Sequence, residues 1–382
     1  MRIAIAGAGI TGTTVGFLLA EQGHEVTIFE QAKVCQPVGA GIMLQNSGQQ
    51  VLDRLGLLAD LATASEELTG MTAMHVSGRN LVQLDFSKLG DEYFALGVHR
   101  GNLFEVLLNR CISSGVTIRN DQQITRYDEA NDCLETETGE RFDGFDFVIA
   151  ADGSRSRLRE STGIRCRVTE YDHAAIWTTG ASDFQPGQLF QFVQGTRRLA
   201  GLLPIGNGHS SFFWGLPANE WPKLRNTSLD TWKQEVRKFC PQSESILDQI
   251  ESFEQMRFGT YRNVAMSKWN TDRVVFLGDA AHATSPHLGQ GVNLALEDAY
   301  CFAESIKQTG NFKTTCEVYS KKRTSKLRYY QQLTKLLSPF FQSNFGLLAF
   351  GRNFALPWLP SIPFVGREML RTLCGQKDGW LR

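Results

Sequence analysis

At 382 residues, with 42% hydrophobic and 21% charged content, the chain is an ordinary globular protein long enough for two or three domains. Its 39 basic and 40 acidic residues give a formal net charge of −1, so a nucleic-acid partner has no electrostatic support; the one dense basic run, KKRTSKLR at 321–328, reads as a solvated helix face. No run of 18 uncharged apolar residues offers a transmembrane segment, and eight cysteines without a C-x-x-C pair suggest neither a zinc site nor a disulfide framework, so free thiols in the cytoplasm and no metal are expected.

The chain opens directly on a strand, with no signal-peptide apolar region before it. In RIAIAGAGITGTTVGFLLAEQGHEVTIFE, Ile3 to Ala6 read as a buried parallel strand, and the apolar period turns helical at Ile10, Thr14, Phe17 and Leu18. Between them Gly7, Gly9 and Gly12 stand as G-x-G-x-x-G. Gly7 permits a tight turn, Gly9 lets backbone approach a pyrophosphate, and Gly12 lets the helix pack closely on the strand. The anion then sits at the helix's positive N-terminus. Glu30 closes the second strand, where a carboxylate accepts ribose hydroxyl hydrogens and repels a 2′-phosphate. An adenine dinucleotide is implied; FAD and NAD are not distinguished by these residues.

The continuation departs from further βα units. A Gly-rich loop with Gly39 and Gly41 leads into a helix around Gln49 to Leu55, and at 98–111 Arg100 opens an amphipathic helix of Leu103, Val106, Leu107 and Cys111. A cation is disfavoured at that helix end unless an anion lies beside it. A strand from Phe147 to Ala151 then ends in Asp152-Gly153, followed by Ser156 and Arg159, and a strand from Val274 to Leu277 ends in Gly278-Asp279. Between these, 166–267 has period-2 character with an Asn207-Gly208 turn signal; with 72–86 it reads as an antiparallel sheet whose second face carries helices such as Leu229 to Phe239.

Three separated motifs, in order and spacing, resemble the flavin-dependent monooxygenases of the p-hydroxybenzoate hydroxylase type. They are the fingerprint at 7–12 with Glu30, Asp152-Gly153 with Ser156 and Arg159, and Gly278-Asp279 with Pro286, Gly289, Gly291 and Asn293. The resemblance covers most of the chain to about residue 330. It implies an α/β fold: a Rossmann-like FAD-binding domain (GR2-type) formed by 1–71, 98–165 and 268–335. Interleaved with it is an antiparallel substrate-binding sheet at 72–97 and 166–267, and 336–382 form a C-terminal helical segment.

Residue by residue, the resemblance implies that Gly7, Gly9 and Gly12 hold the FAD pyrophosphate, Glu30 the ribose, Arg100 the phosphate and ribityl region, and Asp279 the ribityl chain or phosphate, with Gly41 also on the cofactor. Asp152 is implied in FAD and NAD(P)H binding; a strand-end acid that caps the next turn is its other reading. Pro286 walls the reacting face, and Gly289 and Gly291 let backbone N–H groups of Val292 and Asn293 approach the flavin's pyrimidine edge. There a helix starting near Asn293 steadies the anionic reduced flavin. The implied activity is a monooxygenase that uses NADH or NADPH and O2, through a C4a-hydroperoxyflavin, to hydroxylate or epoxidise an aromatic or polyketide-like small molecule. No second nucleotide fingerprint exists, so NAD(P)H binds transiently.

For the substrate, Phe190, Phe192, Phe213 and Trp214 are candidates to line the pocket, with core packing as the alternative. No acid or base is assigned: His75, His99, His173 and His282 have no partner legible in sequence, and His282 is read as a structural neighbour of the flavin loop. Arg197 and Arg198 suit a substrate carboxylate or a solvated hairpin edge equally. The aromatic segment 338–366, broken by Arg352 and prolines, reads as helix and loop covering a domain face, with a peripheral membrane surface, an apolar substrate or a protein partner as the other readings. Rival functions are a reductase or dehydrogenase on the same scaffold, a halogenase, which lacks its expected W-x-W-x-I-P segment, and a flavoprotein that modifies a partner protein. Oligomeric state is not legible.

Overall fold

The computed structural model describes residues 1–36 and 39–380, so Pro37 and Val38 of the Gly-rich loop lie outside the described residues. Five parallel strands form the spine. Arg2–Ala6 pairs with Glu25–Phe29 on one side and Phe147–Ala150 on the other; Val274–Phe276 and Thr117–Arg119 complete the two edges. Ile3, Ile5, Val148, Ile149, Val274 and Val275 are all buried, as they must be when helices cover both faces of a parallel sheet. Helix Ile10–Glu21 packs against both Arg100–Ser113 and Gly291–Thr309. Three adjacent strands end in the three motifs, which places residues far apart in sequence at one carboxyl edge of the sheet.

A seven-stranded sheet runs Arg257–Met266, Cys166–Ala181, His209–Pro217, Arg198–Pro204, Leu189–Gln194, Gly70–His75, Asn80–Asp85. The antiparallel expectation holds for every pair but one: Leu189–Gln194 lies parallel to Gly70–His75. The latter comes from the early part of the chain and joins through a long connection, which frees it from the direction a hairpin would impose. Asn207 and Gly208, at φ 54° and 70°, form the tight turn between two of these strands. Helix Leu229–Phe239 covers one face, packing Trp232, Val236 and Phe239 on Ile176, Leu202 and Phe212.

Two three-stranded sheets complete the β structure. Gly41–Leu44, Ala95–His99 and Glu66–Leu68 form one; Ile124–Asp128, Cys133–Thr136 and Arg141–Asp143 form the other, whose short polar strands left no periodic signal. Three helices follow the last motif: Phe312–Phe341, Gly346–Ala355 and Pro363–Leu373. The eight cysteines are free thiols. Among the described residues no helix is long and apolar enough to cross a membrane.

Candidate functional site

The three motifs touch one another through their glycines. Gly7 has φ 100°, and a Cβ there would stand 2.5 Å from the Ala151 carbonyl oxygen. A Cβ on Gly12 would meet Gly7 O at 1.9 Å, and one on Gly278 would meet Thr11 Oγ1 at 2.4 Å. Gly9 is different, because nothing lies within 4 Å of its Cβ direction. It borders a cleft of about 660 Å³ lined by Gly7, Glu30, Asp152 and Gly153, and also by Gln122 and Gln123, which sequence reading had passed over. Glu30 is held at the strand end by N–H donation from Ala8 (2.8 Å) and Ala32 (2.9 Å).

Burial pushes the Asp152 carboxyl pKa up, against hydrogen bonds from Ser156 and the Leu158 N–H. Its Oδ1 is buried without a partner. Asp279 is likewise raised by its depth in the protein, partly offset by His282 and Arg100, yet its side chain is accessible. Arg100 is exposed at the N-terminus of its helix, where its charge acts on Asp279. Arg159 is buried and donates to Ala280 O (2.8 Å) and Ser154 O (2.9 Å), clamping the second motif to the third.

His282 acquires the partner that sequence could not supply. Its Nε2 meets Asp298 Oδ2, an oxygen that also accepts the Gly278 N–H at 3.1 Å. Arg323 donates to Asp298 Oδ1 at 2.7 Å and pairs with Glu297, and Lys326 pairs with Glu297 at 2.8 Å. Burial alone would raise Asp298; the charges of His282 and Arg323 and their hydrogen bonds outweigh it and hold the carboxyl well below the usual range. This network is the buttress of the Gly278-Asp279 turn.

At the turn after Pro286–Leu288, Gly289 is left-handed (φ 62°) and Gly291 begins the helix Gly291–Thr309 with nothing within 4 Å of its Cβ direction. The helix starts two residues before the expected Asn293, whose side chain clamps the turn. Asn293 is fully buried, accepts from Gln45 N (2.9 Å) and donates to Gly289 O (3.1 Å). Val292 is half-buried on the same first turn, and Pro286 is exposed at the start of the short helix Pro286–Leu288. Gln290 donates to Leu373 O at 2.9 Å and to Gln45, tying the turn to the C-terminal helix. Gly41 faces the substrate sheet: a Cβ would meet Ser211 at 2.5 Å, so close packing between the two sheets is what this position requires.

The sheet's aromatic residues divide by face. Phe190, Phe192 and Trp214 are in register with Ala200 and Leu202 and pack under helix Leu229–Phe239, so they are core and not pocket lining. Phe213 points to the opposite face, that of Ser211 and Gly41, as does its register partner Trp177, whose Nε1 is buried without a partner. Strict alternation decides this, since one position separates Phe213 from Trp214. Arg197 and Arg198 both pair with Glu220, at 2.9 and 2.7 Å, as a hairpin edge would.

His287, next to Pro286, had no signal in sequence. Ser338 Oγ lies 2.7 Å from Thr334 O, 2.8 Å from Ser285 Oγ and 3.3 Å from His287 Nδ1, and Ser285 Oγ lies 2.8 Å from His287 Nδ1. His287 Nε2, on the other side of the ring, is buried and has no hydrogen-bond partner. Burial, with a contribution from His173, lowers the His287 pKa to about 4. Burial also lowers His24, His99 and His173 below 6.5, so on acidification the unfolded chain takes up protons before the folded one does. Stability is therefore expected to fall from about pH 6.5 toward about pH 4, by roughly 1–3 kcal/mol from His287 alone. Melting temperatures across that window check this; a flat profile would mean that these imidazoles are not held neutral, and His287→Phe should reduce the slope.

The open backbone at Gly9 and Gly291, the accessible carboxylate of Asp279 and the unpartnered Asp152 Oδ1 fit the long polar body of an FAD. The sequence pattern of the FAD binding domain family matches residues 1–324. The chain is 30% identical to the 3-amino-4-hydroxybenzoate 2-monooxygenase of Streptomyces cremeus over 78% of its own length and 76% of that enzyme's. It is 26% identical to the 6-hydroxynicotinate 3-monooxygenase of Bordetella bronchiseptica, over 81% and 83%. In three dimensions it is similar to Klebsiella pneumoniae HpxO, solved with FAD and uric acid, with a TM-score of 0.81 at 23% identity over 100% and 98% of the two chains. With motifs, groove and family pattern in agreement, the chain belongs to the FAD-binding-domain flavoproteins of the p-hydroxybenzoate hydroxylase type, the FAD-dependent monooxygenases.

Proposed function

We propose that the protein uses NADH or NADPH and O2 to hydroxylate a planar aromatic small molecule bearing a ring hydroxyl or ring nitrogen. The observation that carries the reading is the buried, unpartnered Nε2 of His287, in the residue next to Pro286. When bound, FAD supplies hydride acceptance and oxygen activation; the chain supplies position and exclusion of water. Asp279, Arg100 and the Gly9 backbone would hold the cofactor's polar body. The N-terminus of helix Gly291–Thr309 would present N–H groups and the positive dipole end to the ring. His287 Nε2 would accept a hydrogen bond from the substrate's hydroxyl or ring N–H, with Trp177 and Phe213 on the covering sheet. Relatives named for aminohydroxybenzoate, hydroxynicotinate and heptylquinolone chemistry act on aromatic rings of this kind and support the class.

The test is stopped flow of the FAD-loaded protein with NADH or NADPH, with and without a panel of hydroxylated benzoates, pyridines and quinolones. One class is expected to accelerate flavin reduction and appear as a product with one added oxygen. Reduction that no aromatic compound accelerates, with no oxygenated product, would favour the reductase reading. His287→Phe is expected to keep its flavin and lose roughly 10–100-fold in kcat/KM for that substrate, the worth of one hydrogen bond in a buried site. Unchanged kcat/KM would remove His287 from the site.

A further inference from the structure

The C-terminal segment carries an exposed face that the flavin site does not use. Helix Gly346–Ala355 buries Ala349 and Arg352 on one side and presents Leu347, Phe350 and Phe354 on the other, at 89%, 77% and 69% exposure. Phe345, Trp358 and Phe364 extend the same uncharged surface. From 336 to 366 the only charged residue is Arg352, which is buried and donates to Phe340 O at 2.7 Å. A patch of this size on a globular protein marks a contact surface.

Its surroundings say what it contacts. Between Glu317 and Glu368 there is no acidic residue, although the chain has 40, while Lys321, Lys322, Arg323, Lys326, Arg328, Lys335, Arg352 and Arg367 fall there. Arg323, Lys326 and Arg352 are turned inward, whereas Lys321, Lys322, Arg328, Lys335 and Arg367 are exposed. Lys321, Arg328 and Lys335 recur every seven residues and so form one stripe along helix Phe312–Phe341, leading to the apolar face. A second copy of this chain would bring the same cationic collar against itself, which disfavours self-association. Aromatic side chains with flanking cations and no acid match the interface of a bilayer with anionic headgroups, where rings sit at headgroup depth and each Lys or Arg adds attraction.

We propose that the helix Gly346–Ala355, with its flanking aromatic residues, docks the enzyme peripherally on an anionic lipid surface. The helix lies in the interface and does not cross it. Arg352 stacks over Phe341, and Phe341 lies 6.1 Å from His287, so the docked face is a single residue layer from the short helix Pro286–Leu288.

The experiment is co-sedimentation of the intact FAD-loaded protein with phosphatidylcholine vesicles and with mixed phosphatidylcholine–phosphatidylglycerol vesicles. Stronger binding to the anionic vesicles, weakened by salt, is expected. Leu347→Asp/Phe350→Asp should abolish it, and Arg328→Glu/Lys335→Glu should weaken it by roughly tenfold or more. All these side chains are exposed, so flavin absorbance and melting temperature should stay as in the parent and show that the variants fold. No sedimentation with either vesicle, or equal sedimentation of the Leu347→Asp/Phe350→Asp variant, would overturn the proposal. So would light scattering that shows a dimer dissociated by Phe350→Asp in a protein that ignores vesicles; that outcome would assign the face to a second copy.

Discussion

A Gly9→Glu protein is expected to purify folded and without flavin. Nothing lies within 4 Å of the direction a Cβ would take at Gly9, so the fold has room for the side chain and the cofactor does not. The added carboxylate also stands where a pyrophosphate must come, at the helix's positive end, and like charge opposes it. Flavin affinity should drop by at least about 100-fold, from roughly 3 kcal/mol of steric and electrostatic loss. Gly12→Ala is the contrast: its Cβ would meet the Gly7 carbonyl at 1.9 Å, so backbone must move and the apoprotein itself should lose stability. Absorbance at purification and melting of the apoproteins separate the two cases. Full flavin retention by Gly9→Glu, or by Asp279→Ala, would refute the assignment of the groove.

The second large effect is expected at Arg323, far from the groove in sequence. It neutralises Glu297 and Asp298, both buried, and Asp298 in turn holds His282 and the Gly278 N–H. Arg323→Ala leaves the two carboxylates with Lys326 as the remaining cation and the His282 hydrogen bond, and loss of one member of such a network costs about 3–5 kcal/mol. Because Gly278 carries Asp279 beside it, weaker flavin retention should accompany the lower melting temperature. Arg323→Met/Asp298→Asn, which removes charge from both sides, should recover part of the stability. A single-variant loss below about 1 kcal/mol would show that the network is solvated.

The sequence by itself determined the dinucleotide end of this protein. G-x-G-x-x-G between a β-period and a helical period has one economical explanation, because three glycines at those spacings answer three local backbone demands. Asp152-Gly153 and Gly278-Asp279 were legible for the same reason: each follows an apolar run that reads as a strand, so the position of the motif at a strand end is a local property. The helix Leu229–Phe239 and the Asn207-Gly208 turn were local too, set by amphipathic period and by positive φ.

What only the tertiary structure decided depends on which face or which distant partner a side chain meets. Phe213 and Trp214 are adjacent in sequence and point to opposite faces of one sheet, and only the position of helix Leu229–Phe239 tells core from roof. Asn293 carried the right motif, but its amide is spent on Gln45 and Gly289, so it clamps the turn. His282 needed Asp298 and Arg323, and His287 needed Ser285 and Ser338 beside its Nδ1. Hydrogen bonds and charge pairs of this kind close over separations that a linear pattern does not encode, and the chemistry of the site rests on them.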